Sequence, residues 1–376
     1  HQKKRLKGKL IWFHGASVGE LLSVVPIIKN YEKNKYINQI LITSSTLSSS
    51  KILKKFKFKK TIHQFYPIDH FLFTNKFLKF WKPNLAVFIE SEIWPHMFRQ
   101  LKLLKIPLAL LNARLTKKTS NRWLKIKFIT KSIFDKITIA YPQNKETSYF
   151  LKKIKIKKIK FIGNLKFVET QNVKERNKIN KLNKIFQNKK IWVASSTHKS
   201  EEEFCARAHI ELKKKFKNLV TIIIPRHIHR VPKIINGFEE LELNYVLHSK
   251  KVRNLKNVDI YIVDTFGETN KFHMMASSVF LGGSILDRGG QNPLEAARHG
   301  AKILHGPNID NFKDVYKLLK KFKISKKINS SRELAQSIVF KKNKIIGVKI
   351  KNIGEKILKK TIKELDYFIN NDYKKT

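Results

Sequence analysis

Short apolar runs alternate with amphipathic stretches through the first half of this 376-residue chain. Leu10 to His14 is apolar and ends at a glycine-rich turn, which predicts a strand; beyond it Leu21, Val24, Val25, Ile28 and Tyr31 recur at helical spacing. Ile40 to Thr43, Leu85 to Ile89 and Leu108 to Leu111 read as further strands, with helical or loop segments between them. Strand followed by helix, repeated, predicts a parallel sheet covered on both faces.

Near Gly163 the composition changes. The run Lys174 to Lys190 is polar and lysine-rich, and predicts a surface helix together with a linker. A second alternating set begins at Ile191, with predicted strands Ile191 to Ala194, Val220 to Ile224, Ile260 to Val263, Val279 to Leu281 and Ile303 to Leu304. Its predicted helices are Glu201 to Phe216, Asn292 to His299 and Asn311 to Lys321. A last helix, Glu355 to Ile369, would place Ile357, Leu358, Thr361, Ile362, Leu365 and Phe368 on one face. The charge run Lys153 to Lys160 reads as a solvated, edge-protecting strand. The expected organisation is therefore α/β: a Rossmann-like domain over residues 1–168, a linker at 169–188 and a second such domain at 189–352. The helix at 353–376 is expected to pack back across the domains. Two doubly wound domains facing a central cleft would bind ligands outside the strand ends.

Length and composition fit this picture, since two cores of ordinary size need about this many residues. The chain is 42% hydrophobic with 26 Phe, which excludes a disordered protein. Its formal charge is +51, from 79 basic and 28 acidic residues. Such a field favours nucleic acid, anionic lipid or a phosphorylated substrate. Part of it reads as compositional drift, because Lys, Ile and Asn are enriched everywhere. Cys205 is the single cysteine, which excludes a disulfide framework and fits a reducing compartment. No stretch approaches the roughly 20 apolar residues needed to cross a bilayer. The sequence opens at His1 and enters a strand by Leu10 without a signal-peptide pattern, leaving room for an upstream segment.

The candidate chemistry of the first half begins at FHGASVGE, Phe13 to Glu20. Glu20 would start a helix, where the N-terminus keeps a carboxylate charged and ready to accept a proton. The alternative is that Ser17 and Glu20 form a capping box of local stability only; that alternative leaves His14, at the end of a buried strand, as a site-facing imidazole. In FIESEIWP, alternation would point Glu90 and Glu92 the same way, toward the end of the sheet. They would meet substrate hydroxyls or a basic neighbour; the competing reading is a salt bridge with Arg114. Trp94-Pro95 reads as packing at a helix start.

The second half carries three segments. SSTHKSEEE, Ser195 to Glu203, offers Ser196 and Thr197 as phosphate donors before a helix with free N–H groups, while its three glutamates also read as first-turn acids. PRHIHR, Pro225 to Arg230, places Arg226 and His227 directly after a strand, and an arginine fork suits a monophosphate leaving group. GGSILDRGGQNPLE, Gly282 to Glu295, has four glycines that would let backbone crowd a ligand. In it Asn292 would cap a helix, Pro293 would fill its first position, and Glu295 would hold a ribose diol. Neither a Walker motif nor the GxGxxG fingerprint is present, and metal-ligand spacing is absent.

With these residues in place, the chain resembles the 3-deoxy-D-manno-octulosonic acid (Kdo) transferase family of lipopolysaccharide synthesis. The matching segments are FHGASVGE, ESEIWP, NARLTKKTS, GNLKF, SSTHKSEEE, PRHIHR, VDTFGE, GGSILDRGGQNPLE and GPNIDNF, in family order from about residue 10 to 312. The resemblance implies a two-domain glycosyltransferase of the GT-B architecture, with an acceptor-binding N-terminal domain and a donor-binding C-terminal one. It implies CMP-Kdo as donor, a tetraacylated lipid A precursor as acceptor, no metal, no nucleic-acid partner, and a peripheral place on the anionic cytoplasmic face of the inner membrane. Carried over by position, the general base falls on Glu20 and a second acidic position on Glu90, with Glu92 the alternative. The donor side falls on Ser196, Thr197, Arg226, His227, Gly267, Ser284, Gln291, Asn292 and Glu295.

Two departures qualify the match. The family typically has a histidine where this chain has Gln291, which keeps hydrogen bonding but loses charge and proton transfer. The family also usually carries an N-terminal hydrophobic anchor, which the sequence given does not show. Competing readings are a transferase or epimerase using a nucleotide-diphosphate sugar, and a basic anion- or RNA-binding protein on a degenerate transferase fold. The second predicts aromatics interleaved with basic residues on an exposed face, whereas the Phe residues fall mostly in apolar runs.

Overall fold

The computed structural model describes residues 4–169, 176–252 and 254–370. The chain forms two compact units, His1–Thr170 with Ile353–Thr376 and Gln171–Asn352.

The first unit contains β1 (Leu10–His14), β2 (Gln39–Ser44), β3 (Thr61–Phe65), β4 (Leu85–Ile89), β5 (Leu108–Ala113) and β6 (Ile139–Pro142). They form one parallel sheet in the order β3-β2-β1-β4-β5-β6. Strands β1, β2, β4 and β5 are buried at every position, as expected of parallel strands covered on both faces. On one face Trp12, Phe77, Phe88 and Phe98 pack with Leu101 and Phe134. The chain runs outward from β1 through β2 to β3, then returns to place β4 on the other side of β1. The polarity of the winding thus switches between β1 and β4, and the crevice of such a sheet lies at the carboxyl ends of those two strands.

After β1 the helix Val18–Lys33 buries Leu21, Val24, Val25, Ile28 and Tyr31, the stripe read from the sequence, and accommodates Pro26 internally. The last helix is longer than its apolar face suggested: it runs unbroken from Lys344 to Asn370. Its later turns pack on the first unit, where Asp366 accepts from the Tyr31 hydroxyl at 3.0 Å and Glu364 from that of Tyr141 at 3.3 Å. The expected edge strand at Lys153–Lys160 does not form. Lys153 ends the helix Lys145–Lys153, and only an isolated bridge from Ile159 to Ala140 follows. The reason is that Phe150, Leu151 and Ile154 bury at helical spacing and hold that segment as a helix end.

In the second unit the strands are β7 (Lys190–Thr197), β8 (Leu219–Pro225), β9 (Tyr245–Leu247), β10 (Ile260–Ile262), β11 (Ser278–Leu281), β12 (Lys302–His305) and β13 (Ser325–Lys327). The sheet is again parallel, ordered β13-β12-β11-β7-β8-β10-β9, with its switch between β7 and β11. The outer strands β9 and β13 do not announce themselves in sequence: each is three residues long, too short to show a period, and β13 is Ser-Lys-Lys. Of the expected helix Asn292 to His299 only Leu294–Ala297 is helical, because Gly300, at φ 76°, turns the chain out immediately afterwards. The polar run before β7 contains the helix Arg176–Ile185; residues 170–175 lie outside the described residues.

Candidate functional site

At the carboxyl ends of β1 and β4 the first unit gathers Glu20, Glu90 and Glu92. The capping box is formed: the Glu20 amide donates to Ser17 Oγ at 3.3 Å and the Ser17 amide donates to Glu20 Oε2 at 3.0 Å. Gly15 lets this turn close on the sheet, since a Cβ there would lie 3.2 Å from Glu20 Cβ and from Ile89 Cδ1. The box does not exhaust the role of Glu20. Partial burial pushes its carboxyl above the ordinary range, the Ser17 amide opposes this, and the charges of Glu92 and Glu90 push it further up. A carboxylate with raised proton affinity is the property a general base needs.

Alternation fails at Glu90. The residue leaves β4 at φ 56°, a left-handed conformation uncommon outside glycine, so Glu90 and Glu92 take different partners. Glu90 Oε1 pairs with Lys166 Nζ at 3.2 Å. Glu92 Oε2 accepts from Trp94 Nε1 at 2.9 Å and lies 3.0 Å from His14 Nε2. The expected partner Arg114 instead meets Glu90 through the backbone, its amide donating to the Glu90 carbonyl at 3.3 Å. Trp94 does stand at the helix start, with Pro95 opening Pro95–Leu103.

A buried hydrogen-bond network holds His14. Trp12 Nε1 can only donate, and does so to Thr43 Oγ1 at 2.9 Å. The Thr43 hydroxyl lies 2.9 Å from His14 Nδ1, and the His14 Nε2–H donates to the Glu92 carboxylate. Burial lowers the imidazole's proton affinity, against the pull of Glu92 and of the Thr43 backbone. Against the burial that would raise it, Glu92 is held below its ordinary value by His14 and Trp94. The Tyr66 ring lies 4.0 Å from that of His14, and its buried hydroxyl has no partner among the described residues.

In the second unit the expected anion loops meet at the switch between β7 and β11. Ser196 adopts φ 57° where the pairing of β7 with β8 shifts register, and Thr197 is buried with a hydroxyl lacking a partner among the described residues. The Arg226 amide donates to the Thr197 carbonyl at 3.0 Å, docking PRHIHR on the end of β7. The Arg226 and His227 side chains are exposed. With Arg288 they surround His198, whose ring is held below its ordinary value by burial, against Glu201, and then by His227, Arg288 and Arg226. Arg230 is not available in the same way, because it forks onto Glu202 at 2.9 and 3.0 Å.

Expectations for the glycine-rich loop change. Its glycines crowd the protein's own chain rather than leaving room for a ligand: a Cβ on Gly282 would lie 2.4 Å from the Ser196 carbonyl, and one on Gly289 2.4 Å from the Asn311 amide. Ser284 is fully buried; its hydroxyl donates to the Leu281 carbonyl and accepts from the Gly306 amide at 2.9 Å, so it braces the loop rather than facing a donor. The Gly283, Ser284 and Ile285 amides are already taken by Glu201. Pro293 is the N-cap rather than the first helical residue, and Asn292, one position earlier than expected of a cap, accepts from the Leu294 amide at 3.0 Å. Glu295 is half exposed, 4.0 Å from His273 Nδ1. Gly267, at φ 80°, has open space where a side chain would project, and Gln291 is partly exposed in the loop. Sequence reading missed Asn112, Lys166, Tyr66 and Arg288, although Asn112 and Lys166 lie inside NARLTKKTS and GNLKF. Among the described residues no group of three or more His, Cys, Asp or Glu side chains could hold a metal ion.

Two parallel-sheet α/β units with polar residues at their switch points are the fold of the GT-B glycosyltransferases. A solved glycosyltransferase from Rickettsia africae shares it at 13% identity and a TM-score of 0.59, over 98% of this chain and all (100%) of that one. So does UDP-GlcNAc 2-epimerase from Neisseria meningitidis bound to UDP-GlcNAc, at 14% identity and a TM-score of 0.57, over 94% of this chain and 100% of that one. Residues 1–169 match the family model described as 3-deoxy-D-manno-octulosonic-acid transferase (kdotransferase). The 3-deoxy-D-manno-octulosonic acid transferase of Rickettsia prowazekii is 34% identical over 367 residues, covering 97% of this chain and 77% of that protein. The chain belongs to the Kdo transferase family and is a glycosyltransferase.

Proposed function

We propose that this enzyme transfers Kdo from CMP-Kdo to a hydroxyl of a tetraacylated lipid A precursor, with inversion at the anomeric carbon and release of CMP. The observation that carries the reading is the setting of Glu20: half-buried beside the charges of Glu92 and Glu90, it is suited to take a proton. In the proposed step Glu20 takes the proton of the acceptor hydroxyl. The acceptor oxygen forms its bond to the anomeric carbon as the bond from that carbon to the phosphate oxygen breaks. The electron pair leaves with CMP. Arg226, His227 and Arg288 stabilise the departing phosphate, with Ser196, Thr197, Gly267, Gln291, Asn292 and Glu295 contributing to donor binding. An arginine fork and imidazoles can receive a monophosphate without a bridging metal, and transfer is expected to persist in EDTA.

An acylated, phosphorylated acceptor at an anionic inner-membrane surface is supported by the face around β3 and the helix Phe71–Trp81. A cavity of about 840 Å³ there is lined by Phe65, Pro67, Phe73, Phe77, Phe80 and Trp81, with Lys54 and Lys76 beside them. Ile68 and Leu72 stand 72% and 62% exposed nearby, an unusual apolar display unless it meets lipid. No helix among the described residues is long and apolar enough to cross a membrane. The proposed place is peripheral, on the cytoplasmic face, and the apolar, lysine-flanked face supports contact with a lipid surface.

The test is incubation with CMP-Kdo and the lipid acceptor, followed by mass measurement of the product. Wild type should add Kdo. Glu20→Gln should bind CMP-Kdo but lose transfer, and near-normal transfer by that variant would remove Glu20 from its role. Turnover of a UDP-sugar in place of CMP-Kdo would favour the nucleotide-diphosphate alternative.

A further inference from the structure

The backbone amides of the glycine-rich loop form a ready anion nest, and the nest is filled from within. Glu201 is 1% exposed. Its Oε2 accepts from the Gly283 amide at 2.7 Å and the His198 amide at 2.9 Å; its Oε1 accepts from Ser284 at 3.1 Å and Ile285 at 3.0 Å. Four amides from two loops therefore converge on one carboxylate. Successive N–H groups in such a turn ordinarily hold a phosphate or other external anion. Here the loop after β11 has folded onto a side chain presented by the first turn of the helix after β7.

The arrangement is closely fitted. A Cβ on Gly282 would lie 2.7 Å from Glu201 Oε2 and 2.6 Å from Thr197 Cα, so only glycine allows the approach. A Cβ on Gly283 would lie 3.3 Å from the His198 ring, and Arg288 Cβ is 3.4 Å from the same point. The carboxylate thus fixes the main chain at His198 and the start of the loop that carries Arg288. The His198 Nε2 atom is buried and has no partner among the described residues.

We infer that Glu201 is a positioning residue: it occupies the nest as an internal anion and locks the loops after β7 and β11 together, so that a donor phosphate is received by the side chains around His198, namely Arg226, His227 and Arg288, rather than by the loop amides. The inference rests on the proposed CMP-sugar donor for the identity of that phosphate, and on the hydrogen bonds alone for the filling of the nest. Neither Glu201 nor the amides would touch substrate. Gln at position 201 turns one acceptor into an NH2 that faces donors. Asp keeps the charge but shortens the reach.

Two measurements test it. CMP binding by calorimetry should be at least about 10-fold weaker in Glu201→Gln, the loss expected when hydrogen bonds to a charged group are removed, and partly recovered in Glu201→Asp. In transfer assays the loss should fall on KM for CMP-Kdo with kcat and the acceptor KM largely kept, a split that general unfolding would not produce. Parental CMP affinity in Glu201→Gln would overturn the inference. Should the variants fail to fold, hydrogen exchange on wild type decides: the amides of His198, Gly283, Ser284 and Ile285 should be protected before any CMP is added. Protection that appears only with CMP would show the nest to be the ligand's site and end the inference. Absence of CMP binding by wild type would count instead against the proposed donor, leaving the protection result to judge the nest.

Discussion

Glu90 and Asn112 stand at the ends of neighbouring parallel strands in the same left-handed conformation, φ 56° and 53°, with the Asn112 amide 3.5 Å from the Glu90 carboxylate. Asn112 also donates to Gln143 Oε1 at 3.3 Å and accepts from the Leu165 amide at 3.0 Å. One buried side chain therefore joins the end of β4, the chain after β6 and the turn that brings Lys166 to Glu90. Non-glycine residues held in this region are strained by about 1–3 kcal/mol and tend to mark functional sites.

Replacing Asn112 by Ala removes this joint and leaves the Leu165 amide without its acceptor. A buried unpaired donor costs about 1–3 kcal/mol, so the urea midpoint should fall accordingly and transfer should weaken as Glu90 loses its brace. An unchanged midpoint would show that Asn112 is not structural.

The rate of transfer should rise with pH as Glu20 ionises, and its inflection should lie above the ordinary carboxylate range because burial and two neighbouring negative charges oppose ionisation. Glu92→Gln removes one of those charges, which makes the Glu20 carboxylate easier to form. The inflection should therefore move to lower pH, read from kcat/KM across the acid limb. A shift to higher pH would contradict the geometry.

Arg226→Lys keeps a charge but loses the planar fork. Its KM for CMP-Kdo should rise about 10-fold, the worth of a lost charge-assisted bond, with stability unchanged because the side chain is exposed. Full activity in the lysine variant would mean that charge alone serves there.

Stability should decline in mild acid through two histidines of the second unit. Burial lowers His273 to about 4 and His299 to about 3, from an ordinary 6.5. Above pH about 6.5 both states hold them neutral; below it the unfolded chain binds protons that the folded one refuses. Unfolding free energy should fall from pH 6.5 down through the folded values, and His273→Asn should flatten part of that slope. A slope identical to wild type would place the acid sensitivity elsewhere.

Much of the architecture could be read from residue order. The apolar runs at Leu85–Ile89 and Leu10–His14 gave strands because parallel strands buried on both faces are nearly unbroken apolar stretches. The Ser17–Glu20 capping box was legible because it is completed within one turn. The edge strands β9 and β13 were not, at three residues each and with β13 wholly polar, and Lys153–Lys160 misled because its lysines hide a helix end anchored by Phe150 and Ile154. For the candidate site, Glu20, Glu92, Arg226 and Thr197 could be proposed from their places after strands. Their partners could not.

What the sequence determined by itself was local: strand and helix periodicity, the turn chemistry after each strand, and the order of chemistry-bearing segments. Tertiary structure decided which charge meets which. Glu92 belongs to His14 across 78 residues, Glu90 to Lys166, and Glu201 to three amides more than 80 residues away in Gly283–Ile285. The physical reason is that a parallel sheet brings strand ends together regardless of their separation in the chain, and a buried charge takes whatever hydrogen-bond partners that convergence supplies. The glycine-rich loop has the composition of an anion nest, and only the fold shows that its anion is part of the protein.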